Sequence, residues 1–151
     1  MQKKTIKNYI YNGLGFPIVL PSVEMIYFED EWHPKINIAN ISEKVIKALI
    51  TQESRFTGNQ VKFVRVYFEM SLREFGKTVV HESHAAVNKW ESFRNSVTNM
   101  DGNIEVMLRL YIYERLFTKT IKQKNNFYKQ YQEIKKLFLA GKQSTQMRLA
   151  I

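Results

Sequence analysis

The strongest constraint on this chain lies between Thr57 and Leu116, where apolar residues recur at helical spacing in runs too short to stand alone as helices. Each run is announced by a small polar residue able to cap a helix. After Thr57 come Val61, Phe63, Val64, Tyr67 and Phe68; after Ser71 come Leu72, Phe75 and Val79; after Ser83 come Val87 and Trp90. Ser71 with Glu74 three residues on has the form of a capping box. Residues 93–99 read as a loop, and Ile104, Met107, Leu108, Tyr111, Ile112, Arg115 and Leu116 give a longer helix. Helices this short hold only when packed together, so the spacing predicts one small domain over 57–118.

The third run carries the functional signal. Val87 and Trp90 turn inward there, which leaves His84, Ala85, Asn88 and Lys89 on the other side of the helix. Two short helices joined by a turn, the second showing small and polar side chains outward, make a helix-turn-helix, whose second helix can enter the major groove of DNA.

The flanks read differently. Phe16 to Leu20 and Met25 to Phe28 are short β-type runs separated by Pro21-Ser22, and predict a small hairpin within residues 14–41. Gly13 and Gly15 suggest a turn before it; no strand is expected ahead of them, and a phosphate-loop reading lacks the further motif residues. Ser42 can cap a helix over 42–53. Residues 1–56 thus form an N-terminal extension of hairpin plus helix. Residues 119–151 form a basic C-terminal helix or tail, with Phe127, Tyr131, Ile134, Leu137 and Phe138 as its apolar stripe.

Charge points to a polyanionic partner. The 151 residues carry 23 Lys+Arg against 14 Asp+Glu, a formal charge of +9. Fixed positive charge of this kind releases counterions from a phosphate backbone. Most of the excess follows Leu116, where Lys119, Lys122, Lys124, Lys129, Lys135, Lys136, Lys142 and Arg148 face only Glu133. A solvated helix face is the plain alternative. The absence of cysteine removes disulfides, thiolate metal sites and cysteine nucleophiles. No run approaches the roughly 20 apolar residues of a membrane span and no signal-peptide core follows the basic start, so the expected location is cytoplasmic.

The helix-turn-helix carries a more specific pattern. Ser71-Leu-Arg-Glu-Phe-Gly76 and Ser83-His-Ala-Ala-Val-Asn-Lys-Trp-Glu91, with Arg65 six residues before Ser71, resemble the phage-repressor/Cro-like (XRE-type) family. Gly15-Phe-Pro17 and Phe68-Glu-Met-Ser-Leu-Arg-Glu-Phe-Gly76 make the chain most similar to the antitoxin-type, MqsA/HigA-like transcriptional regulators. The resemblance covers residues 57–116. It implies a mainly α fold: a five-helix repressor-like helix-turn-helix domain with a small N-terminal β-hairpin extension and a C-terminal basic amphipathic helix. Two positions depart from the family pattern. The turn Lys77-Thr-Val-Val-His-Glu-Ser83 is one residue longer and lacks the usual glycine, and Leu72 stands where many members place a DNA-contacting Gln.

The implied function is a sequence-specific, DNA-binding repressor, working as a homodimer on a palindromic operator and pairing with a toxin through its N-terminal segment. Ser83, His84, Ala85, Asn88 and Lys89 are the expected base contacts. Ser71, Arg73, Lys77, Arg94 and Asn95 are the expected phosphate contacts. Arg65 and Glu91 correspond to a structural ion pair between the first and third helices of the domain. Two other readings stand beside this one: a protein-interaction module whose helix-turn-helix has lost DNA binding, and a non-specific nucleic-acid or membrane-surface binder acting through the basic tail.

No catalytic or cofactor site is expected. His33, His81 and His84 fall in a loop, a turn and a helix start, without the spacing of a metal cage. Glu29-Asp-Glu31 reads as a turn rather than a carboxylate pair for acid–base work, and no nucleophile elbow or Walker motif appears.

Overall fold

The computed structural model describes residues 2–117, 129, 132, 133, 136 and 146–149. It divides the chain into two compact units, Met1–Val45 with Gln146–Ile151, and Ile46–Thr145. The expectation of a mainly α chain with a small hairpin is corrected: the N-terminal part is built on a four-stranded mixed sheet, and the described chain is α plus β.

In the first unit, β1 (Lys3–Tyr11) pairs antiparallel with the eleven-residue β2 (Ile18–Phe28), from Lys3↔Ile26 to Tyr11↔Ile18. The two β-type runs of the sequence are therefore one strand, and its main partner is the segment read as a basic start. A strand does precede Gly13 and Gly15; these residues belong to its β-turn, where Gly15 takes a φ of 96° and donates to Asn12 O at 3.1 Å. β1 escaped notice because almost all of it is exposed or half-buried, so no apolar face repeats along it.

Burial along β2 slips phase. Ile18 and Leu20 are buried at one end and Val23 and Met25 at the other, with the slip at Pro21-Ser22. Pro21 has no N–H for the ladder, and across from it Asn8 takes a left-handed φ of 55°. The pairing resumes in the same register on both sides.

Glu29 and Asp30, both at positive φ, close a two-residue hairpin from β2 to β3 (Glu31–Pro34). The expected acidic turn is thus a hairpin loop, and His33 stands in a strand rather than a loop, donating from Nε2 to Phe28 O at 3.1 Å. β4 (Met147–Arg148) lies parallel to β2 at Ile18 and Val19, and Arg148 donates to Asn8 Oδ1 at 2.6 Å. Residues 146–149, expected in a basic tail, join the sheet; the Phe127 to Phe138 stripe lies outside the described residues.

Helix α1 (Ile38–Thr51) begins four residues before the expected Ser42 start. Asn37 opens it by accepting the Asn40 N–H on its side chain at 3.1 Å. In the second unit come α2 (Gly58–Tyr67), α3 (Leu72–Phe75), α4 (His84–Glu91) and α5 (Gly102–Phe117). Thr57 and Gln60 form a full capping box at α2. Phe56, Val61, Val64, Phe75, Val87, Leu108 and Ile112 make the centre of the core, each fully buried.

Along α5 burial departs from the apolar spacing. Glu105 and Arg109 are buried, whereas Met107, expected inward, is 47% exposed. Glu105 accepts from Phe56 N at 2.8 Å and lies 3.1 Å from Arg55 Nε and 3.3 Å from Arg109 Nη2. Arg109 also donates to Gln52 O at 2.5 Å and Ser54 O at 2.8 Å, and its guanidinium lies over the Phe56 ring. The cluster fixes residues 50–56 onto α5 by satisfying carbonyls that no helix or strand pairs. Burial pulls the Arg109 pKa below its ordinary value, against the opposing pull of Glu105.

Candidate nucleic-acid interface

The candidate interface is built on α4. Ser83 is extended at φ −66°, ψ 155° and its Oγ accepts from Ala86 N at 3.1 Å, which starts the helix. Val87 and Trp90 anchor one side in the core. Ser83, His84, Ala85, Asn88 and Lys89 are all exposed. His84, Ala85, Asn88 and Lys89 stand three and four residues apart and share one solvent-facing side of the helix, with Ser83 exposed at its N-cap.

Helix α3 packs against α4. Ser71 Oγ accepts from Glu74 N at 3.1 Å, the forward half of the expected capping box. The longer turn is resolved in an unexpected way: α3 runs on directly as a π-helical turn, Gly76–Val80, which absorbs one extra residue. His81 then takes the left-handed conformation, φ 54° and ψ 44°, that a glycine usually supplies, and its N–H closes on Gly76 O. A Cβ on Gly76 would run into Glu82 O, so the glycine is needed at the start of this turn instead of at its end. His81 lines a groove with Met107, Tyr111 and Glu114 beside α5. Of the two histidines near the turn, only His84 stands with the exposed residues of α4.

Arg65 and Glu91 form the expected ion pair. The guanidinium meets the carboxylate through two bonds, Nε to Oε2 at 2.8 Å and Nη2 to Oε1 at 3.0 Å, and Nη1 donates to Met70 O at 3.0 Å. Both side chains are largely buried, at 15% and 10% exposure. The hydrogen bond to Glu91 raises the Arg65 pKa above its ordinary value, so the guanidinium stays charged. It joins the end of α2 to the end of α4.

Ser71, Arg73, Lys77, Arg94 and Asn95, the expected phosphate contacts, are exposed. The first three lie on α3 and its π-turn. Arg94 and Asn95 lie just beyond α4, in a segment that is far from a free loop: Gly58 N donates to Ser96 O at 3.3 Å, Asn59 N to Arg94 O at 2.8 Å, and Thr57 bridges Val97. Arg94 has a φ of 54°. Asn59 Nδ2 donates to Asn95 Oδ1 at 3.0 Å. Nothing in the sequence marked Asn59, since a helical polar residue has no periodic signal; the Glu105/Arg109 pair could have been found from its i, i+4 spacing.

Among the described residues no group of three His, Asp or Glu is placed to hold a metal ion. No described helix is long and apolar enough to cross a membrane. Comparison with protein-family models, curated proteins and solved structures finds no match to this chain.

Proposed function

We propose that the chain is a sequence-specific DNA-binding transcriptional regulator, a repressor that reads the major groove with α4. One observation carries the reading. Ser83, His84, Ala85, Asn88 and Lys89 are exposed together on a helix whose opposite side is locked into the core and whose packing partner is a second short helix across a tight turn. The chemistry of that face suits base edges: Asn88 can pair with adenine, Lys89 with guanine N7 and O6 or a phosphate, His84 with an acceptor, and Ala85 with a thymine methyl. Arg73, Lys77, Arg94 and Asn95 flank it with donors for the backbone.

One such helix spans few base pairs. The active species is a homodimer on an inverted repeat, with half-sites about one duplex turn, roughly 34 Å, apart. A toxin partner and control of its own operon are the finer reading, supported by the sequence resemblance.

Selection of random duplexes on the purified full chain at about physiological salt tests this directly. An enriched inverted repeat is expected. Recovery of no motif refutes the regulator and favours the interaction module, while uniform retention of all duplexes favours non-specific binding through the basic tail.

A further inference from the structure

One residue of α2 bonds to both Arg94 and Asn95. Asn59, in the first turn of α2, gives its backbone N–H to Arg94 O and its side-chain Nδ2 to Asn95 Oδ1. The start of α2 lies so close to the end of α4 that a Cβ at Gly58 would stand 2.5 Å from Trp90 O and 2.6 Å from Arg94 N. The two segments meet backbone to backbone. Arg94 is held in a left-handed conformation that a non-glycine residue keeps only when its surroundings impose it.

The bond to Asn95 engages the oxygen of its amide. A side-chain amide has one acceptor oxygen and one donor nitrogen. With Oδ1 engaged by Asn59, the Nδ2 donors of Asn95 are what the exposed end of the side chain presents. A neutral donor group on the residue next to Arg94 suits a phosphate oxygen, whereas the reversed amide would present an oxygen to it.

We infer that Asn59 is the positioning residue for the DNA-backbone contact of Arg94 and Asn95, acting through the orientation of the Asn95 amide without touching DNA itself. This rests on the DNA-binding reading above.

The test is a double-mutant cycle on the full chain: wild type, Asn59→Ala, Asn95→Ala and the double variant, with Arg94→Ala alongside, titrated over a series of salt concentrations with a selected duplex and a scrambled one, with the Tm of each protein. Asn95→Ala is expected to weaken binding about threefold to tenfold. Asn59→Ala should lose a comparable factor, and the double variant should bind no worse than Asn95→Ala alone. Both duplexes lose the same factor, because a phosphate contact carries no sequence information. The salt slope stays at the wild-type value since the lost group is neutral, whereas Arg94→Ala lowers it by about 0.9. Losses that multiply in the double variant overturn the inference. So does an Asn59→Ala protein that binds as wild type, whether or not its Tm falls. Failure of the wild type to bind either duplex refutes the DNA-binding reading itself, before the variants are compared.

Discussion

Gly58→Ala separates local propensity from packing, because the two give opposite signs. Gly58 is the first residue of α2, and alanine is favoured over glycine within a helix by up to about 1 kcal/mol. Propensity alone therefore predicts a more stable protein. Yet the added Cβ would stand 2.5 Å from Trp90 O, 2.6 Å from Arg94 N and 2.8 Å from Glu91 O. Carbon–oxygen contacts are comfortable only at about 3.3 Å or more. All three obstacles are main-chain atoms, so no side chain can swing aside. Relief requires α2 to move away from α4, which stretches the bonds from Gly58 N to Ser96 O and from Asn59 N to Arg94 O.

Overpacking of this kind costs about 1–3 kcal/mol, and two weakened hydrogen bonds add about 1–2 kcal/mol. Set against the gain in propensity of up to about 1 kcal/mol, the net is a destabilisation of about 1–4 kcal/mol. Urea unfolding followed by fluorescence should show a lower midpoint, with Trp90 reporting from α4. The same variant should lose DNA affinity in parallel with Asn59→Ala. An unchanged or higher midpoint would mean that the α2–α4 approach is looser than described, and would remove the physical basis for the fixed Arg94–Asn95 segment.

Glu105→Gln keeps an acceptor for Phe56 N but leaves Arg109, which is 2% exposed, without its buried counter-charge; a loss of about 3 kcal/mol is expected in the same urea assay, and an unchanged midpoint would show that the carbonyls of Gln52 and Ser54 suffice to hold it. Arg65→Lys keeps the charge yet cannot make the fork to Glu91 and the bond to Met70 O together, so about 1–2 kcal/mol should be lost, against near-neutrality if the pair were only a charge contact. His81→Gly should raise stability by about 0.5–1 kcal/mol by relieving the left-handed residue after the π-turn, and a decrease would show that the His81 ring contributes more than its backbone costs. His84→Ala and Lys89→Ala should each cost about 1–3 kcal/mol on a selected duplex and much less on random sequence; equal losses on both would reassign them to the phosphate backbone.

The second unit was legible because its signals are local. Thr57, Ser71 and Ser83 stand where each helix starts, and Val87 with Trp90 defines the buried side of α4, leaving His84, Ala85, Asn88 and Lys89 outside. A cap and a 3.6-residue period act within one helix and need no partner to be recognised. The Arg65–Glu91 pair was legible only through resemblance, since 26 residues separate its members.

The rest depended on neighbours distant in sequence. β1 is an edge strand with little buried surface, so its residues carry no period; Pro21 interrupts the β-type pattern of β2, although the ladder continues past it. The extra residue in the turn could be counted but its shape could not, because a π-turn and a longer loop have the same length. Composition and spacing determined that this chain contains a succession of short capped helices with a polar face on α4 and an excess of positive charge. Tertiary structure alone decided that the N-terminal part is a sheet, that Glu105 and Arg109 are buried, and that Asn59 holds Arg94 and Asn95. In each case the stabilising partner lies dozens of residues away or on a strand with no apolar period, and a local pattern cannot encode a contact that only folding brings within hydrogen-bonding distance.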